Sequence, residues 1–337
     1  MIKRGMLVLV GLTVLLVAAA FVARGWVNER LTRPHDTGQS GPVDVVIEPG
    51  MSAPQLAGRL EAAGVVAASD DLVWWLWWTE QAGDVQAGEY RFDGPASVRE
   101  VADVITAGRV RLYPVTLPEG ATRWQAATAI AAAGFGSEED ALAATEMVEL
   151  IADLDPDADT LEGYLFPETY MVPASTSAEE IVALMVGAFR NVWTEARAER
   201  AAELGWTLRE AMTLASLIEA ETPSADERTI VSAVFHNRLE RGMLLQTDPT
   251  VLYARWLAGK DGRTIYMSDL RRDSPYNTYL HAGLPAGPIG NPRDASIEAA
   301  LYPAESDYLY FVSRNDGTHV FSATLREHND SVNRYQR

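Results

Sequence analysis

The chain has 337 residues, 47 acidic side chains against 28 basic ones and a net charge of −19, enough length for a membrane segment and two modest folded units. So acidic a surface repels phosphate backbones, and with no basic stripe to interrupt it nucleic acid is excluded as a partner. Cysteine is absent, which removes disulfides and thiolate chemistry, and the five histidines (His35, His236, His281, His319, His328) form no H-x-x-x-H or H-E-x-x-H pair, so no metal is expected.

The first element is apolar. Lys3 and Arg4 precede an uncharged run from Gly5 to Ala23, and Arg24 follows. At 1.5 Å per helical residue about 19 residues cover nearly 30 Å, the depth of a bilayer core. Residues 1–26 therefore read as a cytoplasmic tail and single membrane anchor. Ala18-Ala19-Ala20 resembles a signal-peptidase site, but the run is longer than a signal core. The very short tail favours the bulk of the chain on the extracytoplasmic side of the inner (cytoplasmic) membrane. Residues 27–42 mix charge with Gly, Pro, Ser and Thr and read as a flexible tether.

Folded structure is expected from Val43, where Val43, Val45 and Ile47 alternate as in a half-buried strand. A weak internal repeat follows. Val45 to Ser52 and Val115 to Thr122 each carry a strand into a Pro/Gly turn and a capped, Ala-rich helix that ends at Gly64 or Gly134. Another helix runs from Ser97 to Ala107, and a strand from Val110 to Val115 follows it. Residues 43–112 thus read as strand, helix, helix, strand, an arrangement similar to a LysM-type glycan-binding module. The run Trp74-Trp75-Leu76-Trp77-Trp78 has two readings: a platform on which sugar rings stack, or a helix buried on two sides or touching the membrane surface.

Residues 113–337 read as a mainly helical α+β domain with short strands, so the fold class is α+β. Near its end, Tyr308 to Val312 and Thr318 to Ser322 flank Asn315-Asp316-Gly317, a hairpin signal, and Thr324 to Glu327 is a capping box opening a last helix. The stretch from Thr207 is the most informative. Thr207-Leu208-Arg209-Glu210 is a capping box, and Thr222-Pro223 ends the helix because a residue before proline avoids helical geometry. At 100° per residue Leu208, Ala211, Met212, Ala215 and Ile218 share a face, with Glu219 in its middle. Arg209, Thr213, Ser216 and Ala220 are expected to point away. Glu221 lies about 160° from Glu219 and reads as a surface or helix-end residue.

A carboxylate carried into a core resists ionisation unless paired. Two roles for Glu219 follow: a proton donor, as a glycosidic oxygen requires, or a structural partner for an arginine such as Arg228 or Arg238. Downstream, the polar loops Leu245 to Thr250 and Ser274 to Tyr279 suit sugar hydroxyl and acetamido groups.

Five ordered strings carry a resemblance: Leu161-Glu162-Gly163-Tyr164-Leu165-Phe166-Pro167-Glu168-Thr169-Tyr170; Ala215 through Thr222; Asn237-Arg238-Leu239 with Gly242-Met243; Leu245 through Thr250; and Tyr276 through Tyr279. Together they resemble the YceG-like family over roughly residues 43–336. The resemblance implies an endolytic lytic transglycosylase that cuts the β-1,4 bond between N-acetylmuramic acid and N-acetylglucosamine in nascent peptidoglycan. It maps the catalytic glutamate onto Glu219 and implies a 1,6-anhydro product, no cofactor, and peptidoglycan synthases as neighbours. Gln246, Thr247, Asp248, Asn277 and Tyr279 are the expected sugar-orienting residues. Rival readings are a muramidase-type hydrolase that adds Asp248 as a second carboxylate, and a non-catalytic wall-binding scaffold. Pyridoxal phosphate chemistry is disfavoured, since Lys260, the one lysine beyond the N-terminal tail, sits in a Gly-rich turn.

Overall fold

A computed structural model describes residues 2–35, 41–222, 224–260 and 262–336. The chain divides into two compact units, residues 1–113 with 173–175, and residues 114–172 with 176–337. The architecture is mixed α+β, with many helices and three two-stranded sheets among the described residues.

The first unit starts with helix α1 (Ile2–Thr32), the one described helix long and apolar enough to cross a bilayer. The tether expected over 27–42 is helical as far as Thr32. Leu31, 4% exposed, is part of the unit's core and Val27 packs against it, so burial overrides the polar composition there. Residues 36–40 of that segment lie outside the described residues. Strand β1 (Val43–Ile47) follows, then α2 (Ala53–Ala62), α3 (Ser69–Trp78), β2 (Gly88–Phe92) and α4 (Val98–Thr106). β1 alternates as its sequence demands, Val43, Val45 and Ile47 inward, and pairs antiparallel with β2, Val45 opposite Tyr90. Leu56, Leu60, Leu72, Leu76, Tyr90, Val101 and Ile105 fill the interior. The Tyr90 hydroxyl donates to the carbonyls of Gln86 and Ile105, so the buried phenol is satisfied.

β1's partner is β2, whereas the strand expected at Val110 to Val115 forms as β3, starting two residues later (Leu112–Thr116). β3 pairs with β4 (Thr169–Pro173), and the chain passes from the first unit to the second within it. The second unit continues with α5 (Arg123–Ala132), α6 (Glu138–Ala144), α7 (Ala178–Val192), α8 (Glu195–Glu203), α9 (Leu208–Glu221), α10 (Arg228–Glu240), α11 (Asp248–Leu257), α12 (Met267–Leu270) and α13 (Asp294–Leu301). Hairpin strands β5 (Tyr310–Ser313) and β6 (His319–Ser322) and helix α14 (Leu325–Tyr335) complete it. Asn315 and Gly317 take positive φ in the hairpin loop, as the Asn-Asp-Gly sequence requires.

Helix α9 is the axis of this unit. Thr207 caps it reciprocally with Glu210, worth about 1 kcal/mol. It ends at Thr222, which is extended; Pro223 itself lies outside the described residues. The expected amphipathic stripe is not what forms. Every residue from Ala211 to Glu219 is buried, because α8, α10, α11 and α13 all pack on α9. Thr213 and Ser216, expected to face solvent, return their hydroxyls to the carbonyls of Arg209 and Thr213, which makes all-round burial affordable.

Candidate active site

Glu219 is 9% exposed, as its helical position predicts, but it is not an unpaired acid. Arg293, the residue capping α13, donates to Oε1 from Nε at 2.9 Å and Nη2 at 2.7 Å, and to Oε2 from Nε at 2.9 Å and its backbone N–H at 3.1 Å. The Ser296 hydroxyl, in the first turn of α13, adds a bond to Oε2 at 2.8 Å. A forked guanidinium on both oxygens is the environment of an ionised carboxylate. Glu219 thus stands against an arginine and a serine, where the sequence reading of a proton donor places it in apolar surroundings. Of the two roles left open, the arginine-paired one matches, and the partner is Arg293, not Arg228 or Arg238. Arg293 also reaches Glu119 at 2.8 Å, so three charges tie the Pro118–Ala121 turn, α9 and α13 together. The turn must be thin here: a Cβ on Gly120, whose φ is +70°, would stand 3.2 Å from Cγ of Glu219.

Glu221, two residues on, meets other neighbours. Burial raises its carboxyl above the ordinary carboxylate range, and the nearby charge of Asp248 adds to the rise. A hydrogen bond from the Thr247 hydroxyl and the positive charges of His319 and Arg238 act against it. The sequence reading of Glu221 as a surface or helix-end residue is met in its second form, since it is the last residue of α9 and half-buried there. Ala220 beside it is exposed, while the Thr247 hydroxyl holds the Glu221 carboxyl against the neighbouring loop.

Thr247, Asp248 and Tyr279 gather at Glu221. Thr247 is buried, and its N–H donates to the Thr278 hydroxyl at 3.1 Å. Asp248 opens α11 with an exposed carboxylate that accepts from the Tyr279 hydroxyl at 2.6 Å. Gln246 is exposed, takes a left-handed φ of 50° and donates its N–H to the Thr278 carbonyl, so its side chain stands at the loop's rim. Asn277 does not join them. Its amide nitrogen donates to the carbonyls of Leu270 and Arg272, and its Oδ1 accepts from Tyr279 N–H. Buried and occupied on both ends, Asn277 braces the 269–279 loop, which corrects its expected role in orienting sugar.

One group at the site escaped the sequence reading, and Arg238 is there in another role than the one expected. His319 is held by Glu227, its Nδ1 2.7 Å from Oε2 and its N–H donating to Oε1 at 3.0 Å. No spacing rule links residues 92 apart, so only the fold reveals the pair. Arg238 donates to the carbonyls of Leu245 and Leu309 and lies over the Tyr310 ring. A third buried carboxyl, Glu162, has its pKa pushed up to about 7 by burial. That burial outweighs donors from Arg123 N–H, the Tyr253 hydroxyl and the Asn291 amide. It borders a cavity of about 200 Å³ that Asp155, Arg209 and Tyr276 also line.

The second unit is thus a helical scaffold that ties one carboxyl to an arginine and a serine and raises the pKa of another beside a polar loop, a fitting frame for proton-transfer chemistry. The chain belongs to the YceG-like family, whose model matches residues 45–334. It is 34% identical over 324 residues to a Bacillus subtilis protein named endolytic murein transglycosylase, an alignment covering 91% of this chain and 89% of that protein. A Streptococcus pneumoniae protein of the same name is 29% identical over 330 residues, covering 88% of this chain and 59% of that longer protein. A crystal structure of a yceG-like protein from Listeria monocytogenes superposes with a TM-score of 0.59 at 32% identity, covering 86% of this chain and 98% of that one.

Proposed function

We propose that this chain is an endolytic lytic transglycosylase of peptidoglycan, with Glu221 as the acid. The names of its relatives supply the substrate and reaction class. The observation that carries the residue choice is the contrast on α9: Glu219 is locked to Arg293, while Glu221 has a raised pKa and faces Thr247, Asp248 and Tyr279. A protonated carboxyl is what a leaving glycosidic oxygen needs. In this reading Glu221 gives its proton to the oxygen between N-acetylmuramic acid and N-acetylglucosamine as the C1–O bond breaks. The resulting carboxylate then takes the proton of the muramyl C6 hydroxyl, whose oxygen closes on C1 to form the 1,6-anhydro ring. One carboxyl serves both steps and is left as it began; no water is consumed.

Thr247 holds the Glu221 carboxyl in place, Asp248 favours its protonated form, and Tyr279 and Gln246 offer polar contacts to the sugar from the loops. Helix α1 supports a single-pass anchor in the cytoplasmic membrane, with both units on the extracytoplasmic side where nascent strands emerge. Peptidoglycan synthases fit as neighbours there. The antiparallel β1–β2 pair with α2 and α3 between supports a LysM-like reading of the first unit.

Mass analysis of muropeptides released by the purified protein tests the assignment. Lytic cleavage leaves 1,6-anhydro ends, whereas reducing ends would turn the reading to hydrolysis with Asp248 as partner. Unchanged cleavage by Glu221→Gln would remove Glu221 from the chemistry.

A further inference from the structure

We infer that the tryptophan face of α3 docks the first unit onto the lipid interface of the membrane that α1 crosses; this rests on reading α1 as an anchor. Leu72 and Leu76 of α3 are fully buried, while Trp74, Trp77 and Trp78 are 40%, 71% and 65% exposed. Only one side of the helix is covered, which departs from the two-sided burial the sequence suggested. Three large aromatic side chains left bare on one short helix form an apolar patch of the kind that marks a binding surface.

The occupant follows from where α3 begins. The apolar run of α1 ends at Ala23; Trp26 stands about 4.5 Å further along the helix and Leu31, in the unit's core, about 12 Å. A headgroup layer is about 5–8 Å deep on each side of a bilayer core. The core of the folded unit therefore starts about 4–7 Å beyond the headgroup layer, on the same unbroken helix. Arg30 then donates to Asp71, in the first turn of α3, at 2.8 Å. Trp74, Trp77 and Trp78 follow within about 11 Å along α3. Indole rings, apolar with one N–H, concentrate in that layer.

A glycan is the less suited occupant. A sugar platform needs free ring faces, yet Trp74 and Trp78 are stacked on one another, centroids 5.5 Å apart and planes 11° from parallel. Attraction to anionic lipid is not the source either, because the chain carries a net charge of −19. The docking is a partition of indole into the interface, and it holds on zwitterionic lipid at high salt.

The test uses the full chain in phosphatidylcholine vesicles whose acyl chains are brominated near the headgroups. Wild-type tryptophan emission is quenched, and the triple variant Trp74→Phe, Trp77→Phe, Trp78→Phe loses roughly half or more of that quenching, with 1 M salt changing neither value. Trp26→Phe serves as the second variant and retains most of it. Equal quenching in the triple variant and the wild type overturns the docking. So does emission that answers to soluble glycan strands through these three residues but not to bromolipid. The anchor reading fails separately, if an alkaline wash strips the wild-type protein from the vesicles.

Discussion

Glu219 and Glu221 stand two residues apart on α9, and their surroundings differ as much as two carboxyls in one core can. Glu219 has an arginine fork, a backbone N–H and a serine hydroxyl on its two oxygens. Glu221 has one threonine hydroxyl, a neighbouring aspartate and burial that raises its pKa. An ion pair of the first kind joins elements; a carboxyl of the second kind has its pKa raised toward the range in which it can serve as a proton donor. What separates structure from chemistry on this helix is above all the partner.

The largest effect that could break this contrast is at Glu221. Replacing it with glutamine should lower strand cleavage by about 10²–10⁴-fold, the usual worth of a positioned acid, with the melting temperature nearly unchanged. The companion variant Glu219→Gln should do the opposite. It leaves Arg293 half-paired and costs about 3 kcal/mol, the lower end for a broken buried pair because Arg293 is itself 28% exposed at the side chain. Its cleavage, assayed below its lowered melting temperature, should stay within about tenfold of wild type. If the two variants exchange these outcomes, the assignment of roles on α9 is reversed.

Much of this fold was legible beforehand, and the reasons are local. The capping boxes at Thr122, Thr207 and Thr324, the alternation in β1 and the Asn-Asp-Gly hairpin each depend on residues within a few positions of one another. The repeat at Val45 and Val115 was visible because each unit carries its own strand, turn and cap. The acid was not legible for a related reason. Helical periodicity assumes one wet face and one dry face, and α9 has no wet face between Ala211 and Glu219, so the angle between Glu219 and Glu221 said little about which neighbours each would meet. The Arg293 partner lies 74 residues downstream, and Asn277's three carbonyl acceptors arise from a loop closing on itself. Neither leaves a sequence pattern. Strand β2 was missed although Glu89-Tyr90-Arg91-Phe92 alternates, with Tyr90 and Phe92 inward, so its signal was present in the residues themselves.

A third carboxyl sharpens the comparison through pH. Glu162 is as buried as Glu219 but lacks a guanidinium on its oxygens, and its pKa rises from 4.5 to about 7. Its folded form thus binds protons more tightly than its unfolded form. Its contribution to stability is fullest below pH 4.5 and is lost as pH climbs through 7, by up to about 3 kcal/mol. Thermal melts between pH 5 and 8 should show this slope, superposed on other titrations, and Glu162→Gln should flatten it. A slope left intact by that variant would mean that its three donors outweigh burial and hold Glu162 ionised.

The smallest effect addresses whether the Glu219 cage and the acid are coupled. Gly120 sits where the 118–121 turn meets the 289–293 segment. Its N–H donates to the Asn291 carbonyl at 2.8 Å, and a Cβ on Gly290 would come within 2.7 Å of its own carbonyl oxygen. Gly120→Ala must hold a left-handed φ and press on Cγ of Glu219, together about 1–2 kcal/mol, or a few degrees of melting temperature. If the cage only braces the fold, cleavage below the melt is preserved and the pH profile does not move. A variant that melts normally yet cleaves poorly, with its acid limb displaced, would show instead that the position of Glu219 is transmitted down one half-turn of α9 to the group that gives up the proton.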